Sequence, residues 1–587
     1  MSLRNLKRNK SKKSRQSLSS QYGMDDLSGL LRTAQGYLQS GRLPEAEKMY
    51  TQIIAAFPAS ASAHIDLGAL YHSQGDLEKA IKHYKQAIAN DNNNLQALNN
   101  MAQGLQDYGD FDGAAAIYEK IIDIKPAPES WKSLGLIYSR MFKFDKAIAA
   151  YKEAVAVNPD DYDVHNKLGI LHGKLGSLDL ATRCFQDALR VKPDFSAARF
   201  SFAEVLEKNN RIEEAHQETC KGLTIDPDDI ELQSLAAACE RRLGKVRKAI
   251  DRLSQIDAAH LSAVNRRQLY FERGRCHDNN GEYEKAYSDF LSGNQAAQEL
   301  SRKFNKESIL EKLDSVKKQF QYNDIIPPVA DSLCGRAPVF LVGFPRSGTT
   351  LLDQVLDSHS GVQTMEEANI LEKMEENAAG PFDSYIDLWK NLTTVEIKKL
   401  QEQYYRGVDS CLDRQPETVL VDRNPYNTMC VSLAWRMFPD AKFILAVRHP
   451  LDVCLSCFMQ DFQFNPANVN FFTLADAVHY YCKVMELWRL YSDRLPLNYT
   501  IVRYEDLVAD LEGEARRLLD FVGVEWDPGV LKFYEHAKAK GQIKTASYHQ
   551  VTRPIYRNAV DRWQHYGKFC EPFEKQMAPY MKYFGYC

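Results

Sequence analysis

A glycine-bearing segment past the middle of the chain has residue types and spacing suited to binding a phosphate group. Gly343 and Gly348 are separated by four residues, and Thr350 follows two positions later. An apolar run precedes the segment, and a helix-like run from Leu351 to His359 follows it. A strand, a glycine loop and a helix start point backbone N–H groups and the positive end of the helix dipole at one place. The spacing equals that of a P-loop.

The same segment lacks the side chain that a nucleoside triphosphate site needs. Thr349 stands where a P-loop lysine would reach the β- and γ-phosphates, and an arginine, Arg346, lies inside the loop instead. An ordinary ATPase or nucleotide kinase is therefore disfavoured. A strand-to-helix turn that binds nothing is the remaining alternative for a single glycine loop.

Two segments resemble parts of the sulfotransferases that use 3′-phosphoadenosine 5′-phosphosulfate (PAPS). Residues 339–351 resemble the loop that binds the 5′-phosphosulfate, and residues 443–456 resemble the segment that binds the 3′-phosphate. The resemblance implies that the 3′-phosphate is bound by Arg448 and Ser456, which are eight positions apart. It also implies that the phosphosulfate is bound by Arg346, Ser347, Gly348, Thr349 and Thr350. The product would be adenosine 3′,5′-bisphosphate (PAP).

A further resemblance is to the tyrosylprotein sulfotransferases, because Glu366 and Glu367 follow the loop at that family's distance. It implies that Glu367 is the general base for the acceptor hydroxyl while Arg346 draws charge from the sulfuryl group. A base and nearby cations are what such a transfer requires. Without the resemblance, the glutamate pair would be interpreted as a solvated helix cap. Three further donor contacts are implied by position: Arg423 in place of a lysine, Tyr504, and Arg553 in a closing loop.

The acceptor is left open by the sequence. Asn369 stands where animal tyrosine-sulfating enzymes carry an arginine that helps to hold an acidic peptide. Protein tyrosine is the favoured acceptor, and a carbohydrate or lipid hydroxyl is the alternative, with the N-terminal repeats described next only docking a protein. A repeat scaffold with a degenerate nucleotide domain is disfavoured by the intact Arg346, Ser347, Arg448 and Ser456. The chemistry implied by the resemblance requires no metal.

An alanine recurs through the N-terminal half at steps of 33 to 37 residues, at Ala46, Ala80, Ala114, Ala147, Ala181, Ala215, Ala249 and Ala286. A small residue lies twelve positions earlier, an aromatic residue usually lies four positions later, and a proline often closes the unit. Small residues let two helices approach while the aromatic side chain fills the gap. The pattern resembles the tetratricopeptide repeat and predicts a solenoid of about eight repeats over residues 25–300, whose groove could hold a protein or peptide.

After Ala337 short apolar runs alternate with helical segments, which predicts an α/β domain with a mainly parallel sheet. Four strands are expected, at Val339 to Phe344, Thr418 to Val421, Lys442 to Val447 and Tyr499 to Arg503. The predicted fold is therefore multidomain, with an all-α repeat solenoid, a helical linker over residues 301–337 and a P-loop-like sulfotransferase domain over residues 338–587.

Composition limits the remaining possibilities. The 587 residues include 74 Lys and Arg against 78 Asp and Glu, a net charge of −4, which disfavours a nucleic-acid binder. Residues 1–20 carry seven Lys and Arg and no acid, so residues 1–24 are expected to be a disordered basic tail. Apolar stretches fall short of the roughly 20 residues of a membrane helix. We therefore expect a cytoplasmic chain with reduced thiols; the sequence gives no oligomeric state.

Overall fold

The computed structural model describes residues 24–322, 336–379, 393–539, 551–555 and 559–586. These residues form two compact units, and the division falls between Val205 and Leu206. Three predicted segments lie partly outside the described residues. These are residues 1–23 of the basic tail, residues 323–335 of the linker, and residues 547–550 of the closing loop expected at residues 547–554.

The first unit consists of helices joined by short turns, in the pairs that the alanine period predicts. Its helices are α1 (Met24–Gln39), α2 (Leu43–Ala56), α3 (Ala61–Ser73), α4 (Leu77–Asn90), α5 (Leu95–Tyr108), α6 (Phe111–Ile124), α7 (Pro128–Arg140), α8 (Phe144–Val157), α9 (Tyr162–Lys174) and α10 (Leu178–Val191), and α11 (Ser196–Lys208) crosses the division.

Packing between paired helices explains the period. All eight recurrent alanines are completely buried. A Cβ atom added to Gly68 would lie 2.6 Å from Cε1 of Tyr84, the aromatic residue of the same repeat, and one added to Gly169 would lie 2.7 Å from Cε1 of Phe185. At Gly68 and Gly169 the backbone and the ring are therefore too close for a larger side chain unless one of them moves. The predicted repeat solenoid is confirmed.

A larger residue at such a position is expected to destabilise the chain. In Gly68→Val the new side chain would overlap the buried Tyr84 ring, and overpacking of this kind costs about 1–3 kcal/mol. Urea unfolding followed by circular dichroism measures the loss. Gly36→Ala is the matched control, because Gly36 lies in α1 with no atom within 4 Å of the added Cβ. The control should be neutral or up to about 1 kcal/mol more stable. Equal stability of the two variants would contradict this packing.

The second unit begins with further helices and continues into an α/β domain. Its first helices are α12 (Ile212–Leu223), α13 (Ile230–Arg242), α14 (Val246–Ser254), α15 (Ala263–Asn279), α16 (Tyr283–Leu300) and α17 (Lys306–Tyr322). Helices α15 and α16 form the eighth pair, in which Phe290 packs against Gly274. The helices of the α/β domain are α18 (Thr349–Asp357), α19 (Ile370–Ala379), α20 (Thr394–Asp409), α21 (Val431–Met437), α22 (Pro450–Phe458), α23 (Leu474–Arg494), α24 (Tyr504–Ala509), α25 (Leu511–Val522), α26 (Phe533–Ala539) and α27 (Gly567–Tyr583).

The sheet of the α/β domain has five strands in the order β2-β3-β1-β4-β5, and every neighbouring pair is parallel. The strands are β1 (Val339–Gly343), β2 (Val362–Glu366), β3 (Val419–Arg423), β4 (Lys442–Val447) and β5 (Asn498–Arg503). The four expected strands are present, with small shifts at their ends. The edge strand β2 was not predicted, because its sequence, Val-Gln-Thr-Met-Glu, is half polar.

Both faces of the sheet are covered, as expected of a parallel sheet. Val339, Leu341 and Ile444 point into one core, which α18 and α25 complete. Phe340 and Phe443 point into the other. That second core also contains side chains from the eighth helix pair and from α17, namely Phe271, Ala286, Phe290, Ile309, Leu313 and Val316. The last repeat and the sheet of the α/β domain therefore share one hydrophobic core.

Among the described residues, none of the helices combines the length and the apolar character that spanning a membrane requires.

Candidate active site

The candidate residues lie at the carboxyl end of the sheet, after or at the end of each of its five strands. The glycine loop follows β1, Glu367 follows β2, Arg423 ends β3, Arg448 follows β4 and Tyr504 follows β5. Because the strands are parallel, all of these residues reach the same edge of the sheet. Strands β2 and β3 lie on one side of β1, and β4 and β5 lie on the other, so the strand order reverses at β1. Open α/β sheets bind ligands at such a switch point.

The loop after β1 is held in a fixed turn by Ser347, which is almost completely buried. Its Oγ donates to the carbonyl of Phe344 at 2.6 Å and accepts from the Phe344 N–H at 3.2 Å. Gly348 begins α18 with a φ of 97°, and a Cβ there would lie 2.8 Å from Cδ2 of Tyr504. Glycine is thus required at this position by both its backbone conformation and its neighbour.

Arg346 connects the two segments that the sequence related to the donor's phosphates. Its Nε donates to Oγ of Ser456 in α22 at 3.0 Å, although the two residues are 110 positions apart. The Cys457 thiol donates to the carbonyl of Pro345 at 3.3 Å and fixes the same contact. Arg346 has a φ of 72°, in the left-handed region that non-glycine residues adopt uncommonly.

A cleft opens beside this contact. Seven predicted donor residues line it, namely Arg346, Gly348, Thr349, Thr350, Arg448, Ser456 and Tyr504. The rest of its wall consists of Leu351, Val508, Phe533, Val551, Ile555, Ala559 and Arg562. A cleft lined by several cations and hydroxyls together with apolar side chains suits a ligand with both phosphates and a flat ring.

Arg448 is the most enclosed cation of the cleft. One Nη donates to the carbonyl of Ala559 and lies 3.5 Å from Oδ2 of Asp452. Its guanidinium carbon lies 5.2 Å from the centre of the Tyr504 ring, a cation–π distance. Its buried Nε has no hydrogen-bond partner among the described residues. A buried donor of this kind needs an acceptor, and an anion in the cleft would supply one.

Arg423 does not line the cleft. Its side chain is completely buried and is paired with Glu367, with Asp353 at 3.5 Å and with Glu366 at 3.8 Å. Its backbone carbonyl also accepts from the N–H of Glu367 at 2.8 Å. From the sequence, Arg423 was expected to contact the donor. In the structure its side chain lies among three carboxylates. It fixes both the backbone and the side chain of Glu367.

Glu367 is the first residue after β2, and 42% of its side chain is exposed. Partial burial raises the pKa of its carboxyl group, and the negative charges of Asp353 and Glu366 add to that shift, while Arg423 opposes it. Its φ of 42° is again in the left-handed region. A carboxylate with a raised pKa, an orienting arginine and partial exposure can take a proton from a hydroxyl group.

Two other residues singled out by the sequence lie apart from the cleft wall. Arg553 is exposed, and Asn369 accepts a hydrogen bond from the Asn424 amide at 3.0 Å. By contrast, Arg562 lines the cleft, although no motif in the sequence singles it out. Its partner in the structure, Asp278, is 284 positions away, so only pairing with that residue could have indicated the place of Arg562. Within the described ranges, no three His, Cys, Asp or Glu residues are grouped to hold a metal ion.

Comparison with known proteins agrees with this geometry. Residues 338–528 match the family model described as the sulfotransferase family. Residues 31–94, 166–230, 143–176 and 71–135 match tetratricopeptide repeat models. The chain thus carries a sulfotransferase-family domain preceded by tetratricopeptide repeats.

Individual relatives match at modest identity. An uncharacterized protein of Aquifex aeolicus (strain VF5) is 33% identical over 262 residues, which are 42% of this chain and 33% of the relative. Protein-tyrosine sulfotransferase 2 of Gallus gallus is 24% identical over 286 residues, 45% of this chain and 70% of the relative. Protein-tyrosine sulfotransferase 1 of Danio rerio is 25% identical over 270 residues, 42% and 72%. The chain spans a third of the length of the Aquifex relative.

Proposed function

We propose that the chain transfers a sulfuryl group from PAPS to a protein tyrosine hydroxyl. The observation that carries the proposal is the hydrogen bond from Arg346 to Ser456, because it joins the two phosphate-binding segments at one cleft. Arg448 lines the same cleft with an unused buried N–H. The test is calorimetric binding of PAP to the full chain, and no measurable affinity would overturn the proposal.

The cleft residues divide naturally between the two ends of the donor. The N–H groups at the start of α18 and the side chain of Arg346 would hold the 5′-phosphosulfate, helped by the helix dipole. Arg448 and Ser456 would hold the 3′-phosphate. Phe533 and Val551 would offer apolar surface to the adenine ring. Arg562 adds a further positive charge to the wall.

The reaction would be a direct in-line transfer. The acceptor oxygen forms a bond to sulfur, the bond between sulfur and the 5′-phosphate oxygen breaks, and PAP leaves with that electron pair. The hydroxyl proton moves to Glu367, which Arg423 orients. Arg346 and the backbone N–H groups of the loop stabilise the charge that develops on the leaving phosphate.

The tyrosine acceptor is supported by the similarity to protein-tyrosine sulfotransferases, at 24–25% identity. The repeats suit a protein substrate or partner. Labelled PAPS is incubated with the enzyme and a cell extract, and the products are treated with protease or with glycosidase. Label in sulfotyrosine peptides supports the proposal. Label released by glycosidase or extracted with lipid would establish the alternative acceptors.

The raised pKa of Glu367 predicts an acid limb in the pH profile of kcat/KM. A base must be ionised, so activity falls as the pH drops through that raised pKa. Glu366→Gln removes a negative charge that contributes to the shift, and the acid limb should therefore move to lower pH. Glu402→Gln, on the exposed surface of α20, is the control and should leave the limb in place. An unmoved limb in Glu366→Gln would contradict the assignment of Glu367 as the base.

A further inference from the structure

One wall of the cleft is formed by residues 559–566. Ala559 and Arg562 line the cleft. On one side, this wall is attached to His449, which precedes α22, and to Asp452 in the first turn of α22. The backbone N–H of Trp563 donates to Oδ1 of Asp452 at 2.8 Å, and the Trp563 ring stacks on His449 with 5.0 Å between ring centres. The wall is therefore fixed to the segment that carries Arg448.

On its other side, the wall is attached to the eighth helix pair of the repeat region. Asp278, the second-last residue of α15, uses both carboxylate oxygens. Oδ2 lies 2.5 Å from an Nη of Arg562, and Oδ1 accepts from the Tyr566 hydroxyl at 2.7 Å. The Tyr283 ring at the start of α16 stacks on His565, with 4.8 Å between centres. Asp278 and Tyr283, which make these contacts, both belong to helices of the repeat region.

The same repeat helices also support the helix that carries Ser456. The side-chain amide of Asn294 in α16 is buried and donates to the carbonyl of Phe458 at 2.9 Å. Phe458 ends α22, two residues after Ser456, and its ring lies 4.9 Å from that of Tyr287. The eighth pair thus contacts two elements of the cleft. The pair itself lies outside residues 338–528, which match the sulfotransferase family model.

We infer that Asp278 is a positioning residue for the donor cleft, contributed by the last tetratricopeptide repeat. Its carboxylate holds the Arg562 guanidinium in the wall, where it joins Arg346 and Arg448 in attracting the phosphates of the nucleotide. This inference rests on the proposed function.

The physical reason is preorganisation. An arginine side chain that is about one-third exposed has many accessible rotamers, and fixing them on binding costs affinity. The charge-assisted hydrogen bond to Asp278 fixes Arg562 before the nucleotide arrives, and Tyr566 fixes Asp278 in turn. The last repeat is then a part of the enzyme as well as a possible docking surface.

The experiment measures PAP affinity of the full chain by calorimetry. Asp278→Asn should weaken PAP binding about tenfold, the size expected for coupled neighbours. In an Arg562→Ala background the same change should have little further effect, because the side chain it positions is gone. Asp278→Glu, which keeps the charge, should bind more tightly than Asp278→Asn. Glu284→Gln is the matched control: its exposed ion pair with Lys568 at 3.0 Å joins the same two regions, and PAP affinity should not change.

Several outcomes would overturn the inference. Asp278→Asn with wild-type affinity would show that Arg562 needs no positioning. An equal loss with and without Arg562 would assign Asp278 a general structural role, as would loss of cooperative melting in both Asp278 variants. Failure of the wild-type chain to bind PAP is a different result, and it would reject the proposed function itself.

Discussion

Glu367→Gln is expected to reduce sulfate transfer by about 10²–10⁴-fold, the usual contribution of a general base. The amide has nearly the shape of the carboxylate and can still contact Arg423, but it cannot accept the acceptor's proton. PAP affinity should stay within about twofold, because Glu367 does not line the nucleotide cleft. The assay is transfer from labelled PAPS to a mixture of tyrosine-containing peptides, with calorimetry for PAP.

Two controls separate this chemistry from a structural effect. Glu402→Gln changes an exposed glutamate of α20 and should leave transfer unchanged. The melting temperature of Glu367→Gln shows whether loss of the Arg423 ion pair unfolds the edge of the sheet. Retained turnover in a folded Glu367→Gln protein would contradict its role as the base and would point to another acceptor of the proton.

The features predicted from sequence were those encoded by contiguous residues. The glycine loop joins a strand to a helix within 20 residues, and its spacing alone specifies where Gly348 must lie. The repeat is equally local, because six of the eight alanines have an aromatic residue four positions later on the same helix. Such patterns indicate the local secondary structure directly, and the solenoid and the parallel sheet were predicted from them.

Features that depend on distant partners could not be predicted in the same way. Arg423 ends a strand at the ligand edge of the sheet, which makes a donor contact a reasonable expectation. Its side chain is instead enclosed by Asp353, Glu366 and Glu367, and only the neighbouring strand and helix reveal this. Arg562 shows the converse, because its place in the cleft depends on a carboxylate of the repeat region.

The β2 strand illustrates a third limit. Its five residues alternate apolar and polar side chains too weakly to distinguish an edge strand from a loop, and only its pairing with β3 defines it. That pairing places Glu366 opposite Arg423 and thereby brings Glu367 to the ligand edge. The position of the proposed base is thus a consequence of sheet register, while its identity came from a family resemblance.

Arg346→Gln is expected to lower kcat by about 10²–10³-fold, the cost of removing one donor that stabilises transition-state charge. The change keeps a side chain that can reach Ser456 but removes the positive charge from the loop. The loss should appear mainly in kcat, because the Arg346 charge acts most strongly on the leaving phosphate as it becomes more negative, whereas the N–H groups of α18 still bind the ground-state donor.

Ser456→Ala tests the other partner of the same bond. It removes the hydroxyl that accepts from Arg346 but leaves the charge in the loop, so we expect a smaller loss that appears mainly in the KM for PAPS. Arg406→Gln, on an arginine of α20 that is 80% exposed, is the control for loss of a positive charge. If Arg346→Gln instead raised the KM for PAPS while kcat was unchanged, Arg346 would be a binding residue only. Stabilisation of the leaving phosphate would then have to come from the backbone of the loop and from the remaining arginines of the cleft.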